Sequence, residues 1–219
     1  MKKEKGFIFD LDGVIVDTAK FHFLAWKKAA AEFNFELTPE LNEKLKGVSR
    51  IDSLNKILKW ANASVTNEKF AELSSDKNED YLSYVQNMTK KDILPGVYNI
   101  LSNLKEGNYP MALGSASKNA STILEKVGLL DMFDSIVDGN SVKKAKPDPE
   151  VFLIAAKNLK IPPKKCIVFE DSEAGITAAN NVGMISVGIG NKKHLGHADY
   201  VFDNFNEITF DFLKQLQPK

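Results

Sequence analysis

The stretch Gly6-Phe7-Ile8-Phe9-Asp10-Leu11-Asp12-Gly13 opens on a short, uninterrupted apolar run and closes on two acids and a glycine. An apolar run without polar alternation suits a strand covered on both faces, and Asp12-Gly13 is a turn signal that ends it. The same grammar returns downstream. Met111-Ala112-Leu113-Gly114 ends at Ser115, Ser135-Ile136-Val137 at Asp138, and Cys166-Ile167-Val168-Phe169 at Glu170-Asp171, with Ile185-Ser186-Val187 as a fifth candidate. Helical patterns lie between these runs: Val97/Ile100/Leu101/Leu104, Ile123/Leu124/Val127 closed by Gly128, Phe152/Ala155/Leu159, and Ile176/Ala179/Val182 closed by Gly183. Strands and helices in alternation predict an α/β fold built on a doubly wound parallel sheet.

One segment breaks the alternation. From Asp17 to about Thr89 there is no convincing strand, and three helical patterns stand instead: Thr18 to Phe33, then Ile51/Leu54/Leu58/Ala61, then Phe70/Leu73/Tyr81/Tyr84/Val85/Met88. Lys91-Asp92-Ile93-Leu94-Pro95-Gly96 marks the return, with Pro95 and Gly96 as breakers. The expected division is an α/β core of residues 1–16 and 91–219 and an inserted helical domain of residues 17–90. An insert after the first strand sits above the carboxyl ends of the strands, where ligands bind in this architecture, and is placed to act as a lid.

Composition narrows the function classes. The chain has 219 residues, 43% of them hydrophobic, enough for a real core. Its 29 Lys and Arg balance 29 Asp and Glu, so no global field draws it to nucleic acid or to an anionic membrane. Any anion must be gathered locally. The one cysteine, Cys166, has no partner for an internal disulfide, and Met1-Lys2-Lys3-Glu4-Lys5-Gly6 shows neither an apolar leader core nor a cleavage site, which suits the cytoplasm. The longest uncharged run, Ala174 to Asn191, is broken by polar residues and glycines and does not read as a membrane span. Neutral charge and no spare apolar face suggest a monomer.

The notable polar residues of the sheet all fall at strand ends: Asp10 and Asp12, Ser115, then Glu170 and Asp171. Asp-x-Asp-Gly alone fits a simple turn. The four carboxylates on one edge would repel one another without a cation, and hard oxygen donors suit Mg²⁺, or Ca²⁺ in a structural site. Magnesium beside carboxylates points to phosphoryl transfer, for which fixed positive donors are needed. Lys146, in Lys146-Pro147-Asp148-Pro149, is one candidate, while Asp148 and Pro149 read as the cap and first residue of a helix. Ser115-Ala116-Ser117-Lys118-Asn119 precedes a helix and suits a phosphate, although Ser117 also fits an ordinary N-cap. Lys77 falls on the apolar stripe of the third insert helix, where a lysine either snorkels outward or faces a cleft. His22 and Trp26 lie one turn apart, a spacing that also fits the edge of a core. Lys46-Gly47-Val48-Ser49-Arg50 is a basic loop in which Arg50 can fork onto a phosphate.

The segments Asp10-Leu11-Asp12-Gly13-Val14-Ile15-Val16-Asp17, Ser115, Lys146 and Glu170-Asp171 resemble the four motifs of the haloacid dehalogenase superfamily of phosphotransferases, along essentially the whole chain and including a small four-helix cap. Asp17-Thr18-Ala19-Lys20-Phe21-His22-Phe23-Leu24-Ala25-Trp26, Leu45-Lys46-Gly47-Val48-Ser49-Arg50-Ile51-Asp52-Ser53-Leu54 and Ser115 to Asn119 resemble its hexose-phosphate mutases, which interconvert β-glucose 1-phosphate and glucose 6-phosphate through an aspartyl phosphate and β-glucose 1,6-bisphosphate. That resemblance implies Asp10 as nucleophile and Asp12 as general acid/base. It implies Mg²⁺ held by Asp10, the backbone carbonyl of Asp12, Glu170 and Asp171, and one phosphate held by Ser115 and Lys146. The second phosphate falls to Arg50, Ser117 and Asn119 with Lys118, while Thr18, His22, Trp26, Lys46, Gly47, Val48, Ser53, Lys77 and Ala116 complete the substrate side. His194 and His197 read as loop residues, with His197 to Tyr200 leading into a final edge strand as in the superfamily. All four motifs serve hydrolysis equally well, so a sugar-phosphate phosphatase is the nearest rival. A non-catalytic sugar-phosphate-binding regulator is disfavoured by the intact set of acids and lysine.

Overall fold

The computed structural model describes residues 4–217; Met1, Lys2 and Lys3, where the sequence showed no apolar leader core or cleavage site, and the last two residues of the expected core span lie outside them. Strands β1 (Gly6–Phe9), β2 (Met111–Gly114), β3 (Ser135–Val137), β4 (Cys166–Glu170), β5 (Ile185–Ile189) and β6 (Tyr200–Phe202) form one sheet in the order β3-β2-β1-β4-β5-β6, each neighbouring pair parallel. Helices α1 (Ala19–Ala31), α2 (Pro39–Glu43), α3 (Arg50–Trp60) and α4 (Asn67–Val85) follow β1 directly. The strands are then linked through α5 (Val97–Glu106), α6 (Ala120–Val127), α7 (Glu150–Leu159), α8 (Glu173–Asn180) and the short α9 (Lys192–Leu195), and α10 (Phe210–Gln215) ends the fold.

Alternation of side chains across the pleat explains the two layers. Phe7 and Phe9 point to one face, where Phe9 stacks on Phe169 at 4.6 Å between ring centroids and residues of α5, α6 and α10 close the layer. Ile8 points to the other and packs with Val168, Ala112 and the apolar stripes of α7 and α8. Both faces are covered, so β1, β2, β4 and β5 are buried along their whole length, while the edge strands β3 and β6 are partly exposed. β1 leads to β2 on one side of the sheet and neighbours β4 on the other, which makes the crevice beyond their carboxyl ends the topological switch point.

The helical insert has a core of its own, in which Trp26, Leu37, Leu54, Ile57 and Leu73 are buried together. Its outgoing and returning chains run side by side. Val16 pairs antiparallel with Ile93, the Asp17 amide donates to the Asp92 carbonyl at 2.9 Å and the Leu94 amide to the Ile15 carbonyl at 3.0 Å.

Several sequence expectations shift in detail. α2 carries too few residues to show periodicity, yet Thr38 caps it by accepting from the Leu41 amide, with Pro39 in its first turn. Ile51 is 51% exposed at the start of α3, where Ser53, Leu54, Ile57 and Leu58 form the buried face, and Tyr84 is 37% exposed. His194 sits on α9 rather than in a loop, whereas His197 follows it and meets the Thr177 hydroxyl. Pro149 is the N-cap of α7 instead of its first residue, and the Asp148 carboxylate accepts from the Glu150 amide at 3.0 Å.

Candidate active site

Asp10 and Asp12 are set by the turn that ends β1. The Asp10 amide donates to the Phe169 carbonyl of β4 at 3.0 Å, and the Leu11 carbonyl accepts from the Ile15 and Val16 amides, winding the chain tightly after the strand. Gly13 has φ +78°, and a Cβ there would overlap the Asp171 carboxylate, so only glycine lets this turn lie against the end of β4.

Asp10, Glu170 and Asp171 each offer a carboxylate oxygen, and these lie within 4.8 Å of one another. Two lysines answer that charge. Lys146 Nζ, buried, donates to Asp10 Oδ1 at 2.6 Å and also to Glu170 Oε1. Lys46 Nζ reaches from the insert to Asp171 Oδ2 at 3.1 Å and to Glu43 Oε1 at 3.2 Å. Ser172 fixes the far oxygen of Glu170, its amide and hydroxyl both donating to Oε2 at 2.8 Å. Burial raises the Asp10 carboxyl well above the usual range, Lys146 opposes this, and the neighbouring carboxylates add to it. Burial likewise lifts Asp171 to about 7 against the pull of Lys46. Burial would lower Lys146, but Asp10 and Glu170 outweigh it and hold the ammonium above its ordinary value.

Asp12 lives in different surroundings. Its Oδ1 accepts from the Thr18 hydroxyl, from the Tyr81 hydroxyl at 3.2 Å, and faces His22 Nε2 at 3.5 Å. Burial would raise this carboxyl, yet the imidazole and the two hydroxyls outweigh it and leave it below its ordinary value. Lys77 stands behind His22. Its Nζ lies 2.8 Å from His22 Nδ1 and over the rings of Trp26 and Tyr81 at 4.7 and 4.9 Å. Burial, assisted by the Arg50 charge, lowers Lys77 to about 7, and burial followed by the charge of Lys77 lowers His22.

A second group of donors gathers around Asn78 of α4. Its Oδ1 accepts from Arg50 Nη2 at 2.6 Å and from Asn119 Nδ2 at 3.1 Å, tying the insert to the loop after β2. Asn119, not Ser117, is the N-cap of α6, and the Ser117 hydroxyl accepts from the Asn119 amide at 3.2 Å.

These groups line one cavity of about 360 Å³ between insert and sheet. Of the residues singled out from the sequence, Asp10, Asp12, His22, Trp26, Lys46, Gly47, Val48, Arg50, Ser53, Lys77, Ser115, Ala116, Ser117, Lys118, Asn119, Lys146 and Asp171 face it. Thr18 and Glu170 do not line it and act through their bonds to Asp12 and Lys146. Lys77 faces the cavity rather than snorkelling outward, and His22 and Trp26 do so with it. Sequence reasoning missed Asn78, the Tyr81 hydroxyl and Ser172. Asn78 follows Lys77 directly, and Ser172 follows the acidic pair, so both had a neighbour as signal; Tyr81 was hidden in an apolar stripe.

Residues 7–189 match the family model described as haloacid dehalogenase-like hydrolase. The chain belongs to that family. Among curated haloacid dehalogenase-like relatives, it is 42% identical over 213 residues to the β-phosphoglucomutase of Bacillus subtilis, covering 96% of this chain and 94% of that protein. It is also 31% identical over 180 residues to the phosphorylated carbohydrates phosphatase of Thermotoga maritima, with 81% of each covered. A crystal structure of β-phosphoglucomutase from Clostridium difficile superposes with a TM-score of 0.93 at 42% identity, covering 97% of this chain and 96% of that one. For a haloacid dehalogenase-like enzyme the acidic cluster fits a divalent cation: its donors are hard oxygens, they converge, and their charge exceeds what Lys146 neutralises.

Proposed function

We propose that the protein is a Mg²⁺-dependent mutase that interconverts β-D-glucose 1-phosphate and D-glucose 6-phosphate through an aspartyl phosphate on Asp10 and β-glucose 1,6-bisphosphate. The observation that carries this reading is the pairing of two separate donor groups suited to anions, Lys146 with Ser115 and Arg50 with Asn119 and Ser117, in one cavity between insert and sheet. A bisphosphate that must present either end to the same nucleophile needs two such groups. A hydrolase acting on a monophosphate has no such need. The similarity to the Bacillus subtilis β-phosphoglucomutase over nearly the whole chain supports the same reading.

In this reading Asp10 attacks phosphorus and the P–O bond to the donor breaks. Lys146 and the Ser115 hydroxyl hold the transferring group, and bound Mg²⁺ would neutralise charge on it, with Asp10, Glu170 and Asp171 as the residues that hold the ion. Asp12 gives a proton to the departing sugar oxygen and takes one from the attacking hydroxyl on the return. With its carboxyl held below the ordinary range and bound by Thr18 and Tyr81, Asp12 is the base when phosphorylated Asp10 donates to a sugar hydroxyl, and the proton it takes there is the one it gives when Asp10 attacks the bisphosphate. His22 and Lys77 face the sugar. The closed insert keeps water from the aspartyl phosphate.

The test is discharge of the phosphoenzyme. Protein phosphorylated with radiolabelled acetyl phosphate should transfer its label to β-glucose 1-phosphate on mixing, far faster than to water. Label released as inorganic phosphate at the same rate with and without the sugar phosphate would instead establish a phosphatase, the activity named for the Thermotoga maritima relative.

A further inference from the structure

Besides the sugar-sized cavity, the protein carries a second recess that the proposed chemistry does not use. It is a crevice of about 480 Å³ on the other side of the acidic cluster, between the α2 end of the insert and the loops that follow β5 and β6. It shares only Ala19, Lys46 and Asp171 with the first cavity, so the two recesses meet at the cluster. Its lining holds the carboxylates of Asp17, Glu40, Glu43 and Asp203. In a chain of zero net charge such a one-sided rim is a local device, and its field favours cations. At the inner end an ammonium is already seated on the cluster: Lys46 Nζ bridges Asp171 and Glu43 at 3.1 and 3.2 Å.

We infer that the divalent cation reaches and leaves the acidic cluster through this rear crevice, with Lys46 as the gate that it displaces from Asp171. The inference rests on the metal-dependent reading given above and adds a route to it. A sugar phosphate in the first cavity would stand between its mouth and the cluster, whereas the rear crevice reaches Asp171 without crossing that cavity. The rim carboxylates draw the hydrated ion inward, and an arriving double charge takes Asp171 from a single one. Lys46 keeps Glu43 as a partner, so no charge is stranded when the gate opens. The ion can therefore exchange while a sugar phosphate stays in place.

Mn²⁺ is the probe. Its release from the full-length enzyme into an excess of fluorescent chelator would be followed by stopped flow, with and without saturating glucose 6-phosphate, occupancy being checked by tryptophan fluorescence because Trp26 lines the sugar cavity. The rates should agree within about threefold, and a slowing beyond about tenfold would place the route on the sugar side and overturn the inference. The double variant Glu40→Lys, Asp203→Lys should lower the Mn²⁺ association rate about tenfold and flatten its salt dependence, whereas Lys143→Glu on the sugar-side lining should leave it within about twofold. An unchanged rate in the double variant contradicts the route. Lys46→Met should tighten resting Mn²⁺ binding about tenfold by removing the competing ammonium, and weaker binding contradicts the gate. If Asp171→Asn binds Mn²⁺ as tightly as the natural protein, the ion is not at the cluster, and both the route and the metal-dependent reading fail. Normal loss of binding in Asp171→Asn with a sugar-blocked release fails the route alone.

Discussion

Asp12 and Asp10 stand two residues apart and are held in opposite ways, and the difference is testable one side chain at a time. Asp10 is pressed against carboxylates and Lys146, whereas Asp12 accepts from two hydroxyls beside an imidazole. Acetate leaves acetyl phosphate without needing a proton, but a sugar hydroxyl does not leave so easily. Asp12→Asn should therefore still form the aspartyl phosphate from acetyl phosphate, while transfer to the sugar falls by about 10²–10⁴-fold in a quenched-flow assay. Asp10→Asn should form no phosphoenzyme at all. Arg50→Lys keeps the charge but loses the fork, and its turnover should fall by more than about tenfold, with activity near that of the natural protein counting against Arg50 as a phosphate holder.

Lys77 gives a prediction in pH. Its pKa is lowered in the fold to about 7 from an ordinary 10.5, so between those values the unfolded chain binds more protons and stability rises with pH. Lys77→Met removes that dependence. The variant's advantage in Tm over the natural protein should be largest near pH 7 and shrink toward pH 10, with Arg50, His22 and Asp12 as the groups facing the site. A constant difference across that range would mean that Lys77 stays charged in the fold. At this scale the sequence was legible wherever chemistry-bearing residues end a strand, as at Asp10, Ser115 and Glu170. Asn78 was not, because a polar residue in a helix rich in acids and lysines looks like any solvated one.

Elements hold these side chains in place, and two positions show how. Gly175, in the first turn of α8, is where a Cβ would overlap the Glu170 carboxylate. Gly175→Ala should shift that carboxylate, cost about 1–3 kcal/mol in denaturant unfolding and weaken Mg²⁺ binding measured calorimetrically. Stability loss with unchanged Mg²⁺ affinity would separate Glu170 from the ion. Leu54 is fully buried in α3 with Ile57, Trp26 and Leu73, away from the sheet. Leu54→Ala should cost about 2–5 kcal/mol, and hydrogen exchange should show the loss concentrated in the insert. β1 to β5 were read to within a residue or two because each is a predominantly apolar run, whereas β6 was expected only as an edge strand implied by the family resemblance. α2 escaped because five residues hold too little of a helical period, and Ile51 was misjudged because an apolar residue at a helix start has no turn before it to fix its face.

For the whole molecule, closure is written in contacts between insert and sheet: Tyr81 to Asp12, Asn78 to Asn119, Lys46 to Asp171. None of these could be read from the chain, since each joins residues far apart in sequence that only the tertiary fold brings together. What the sequence did show was that a helical insert follows the first strand, and that placement is what puts a lid over the strand ends. In the proposed reading the lid decides the outcome, because an aspartyl phosphate serves a mutase when water is excluded and a phosphatase when it is not. Phosphorus NMR of the protein with Mg²⁺, β-glucose 1-phosphate and a trace of acetyl phosphate as primer measures that choice directly. Conversion to glucose 6-phosphate with little inorganic phosphate, and none from the α anomer, is the predicted result. Steady accumulation of inorganic phosphate without glucose 6-phosphate would contradict it.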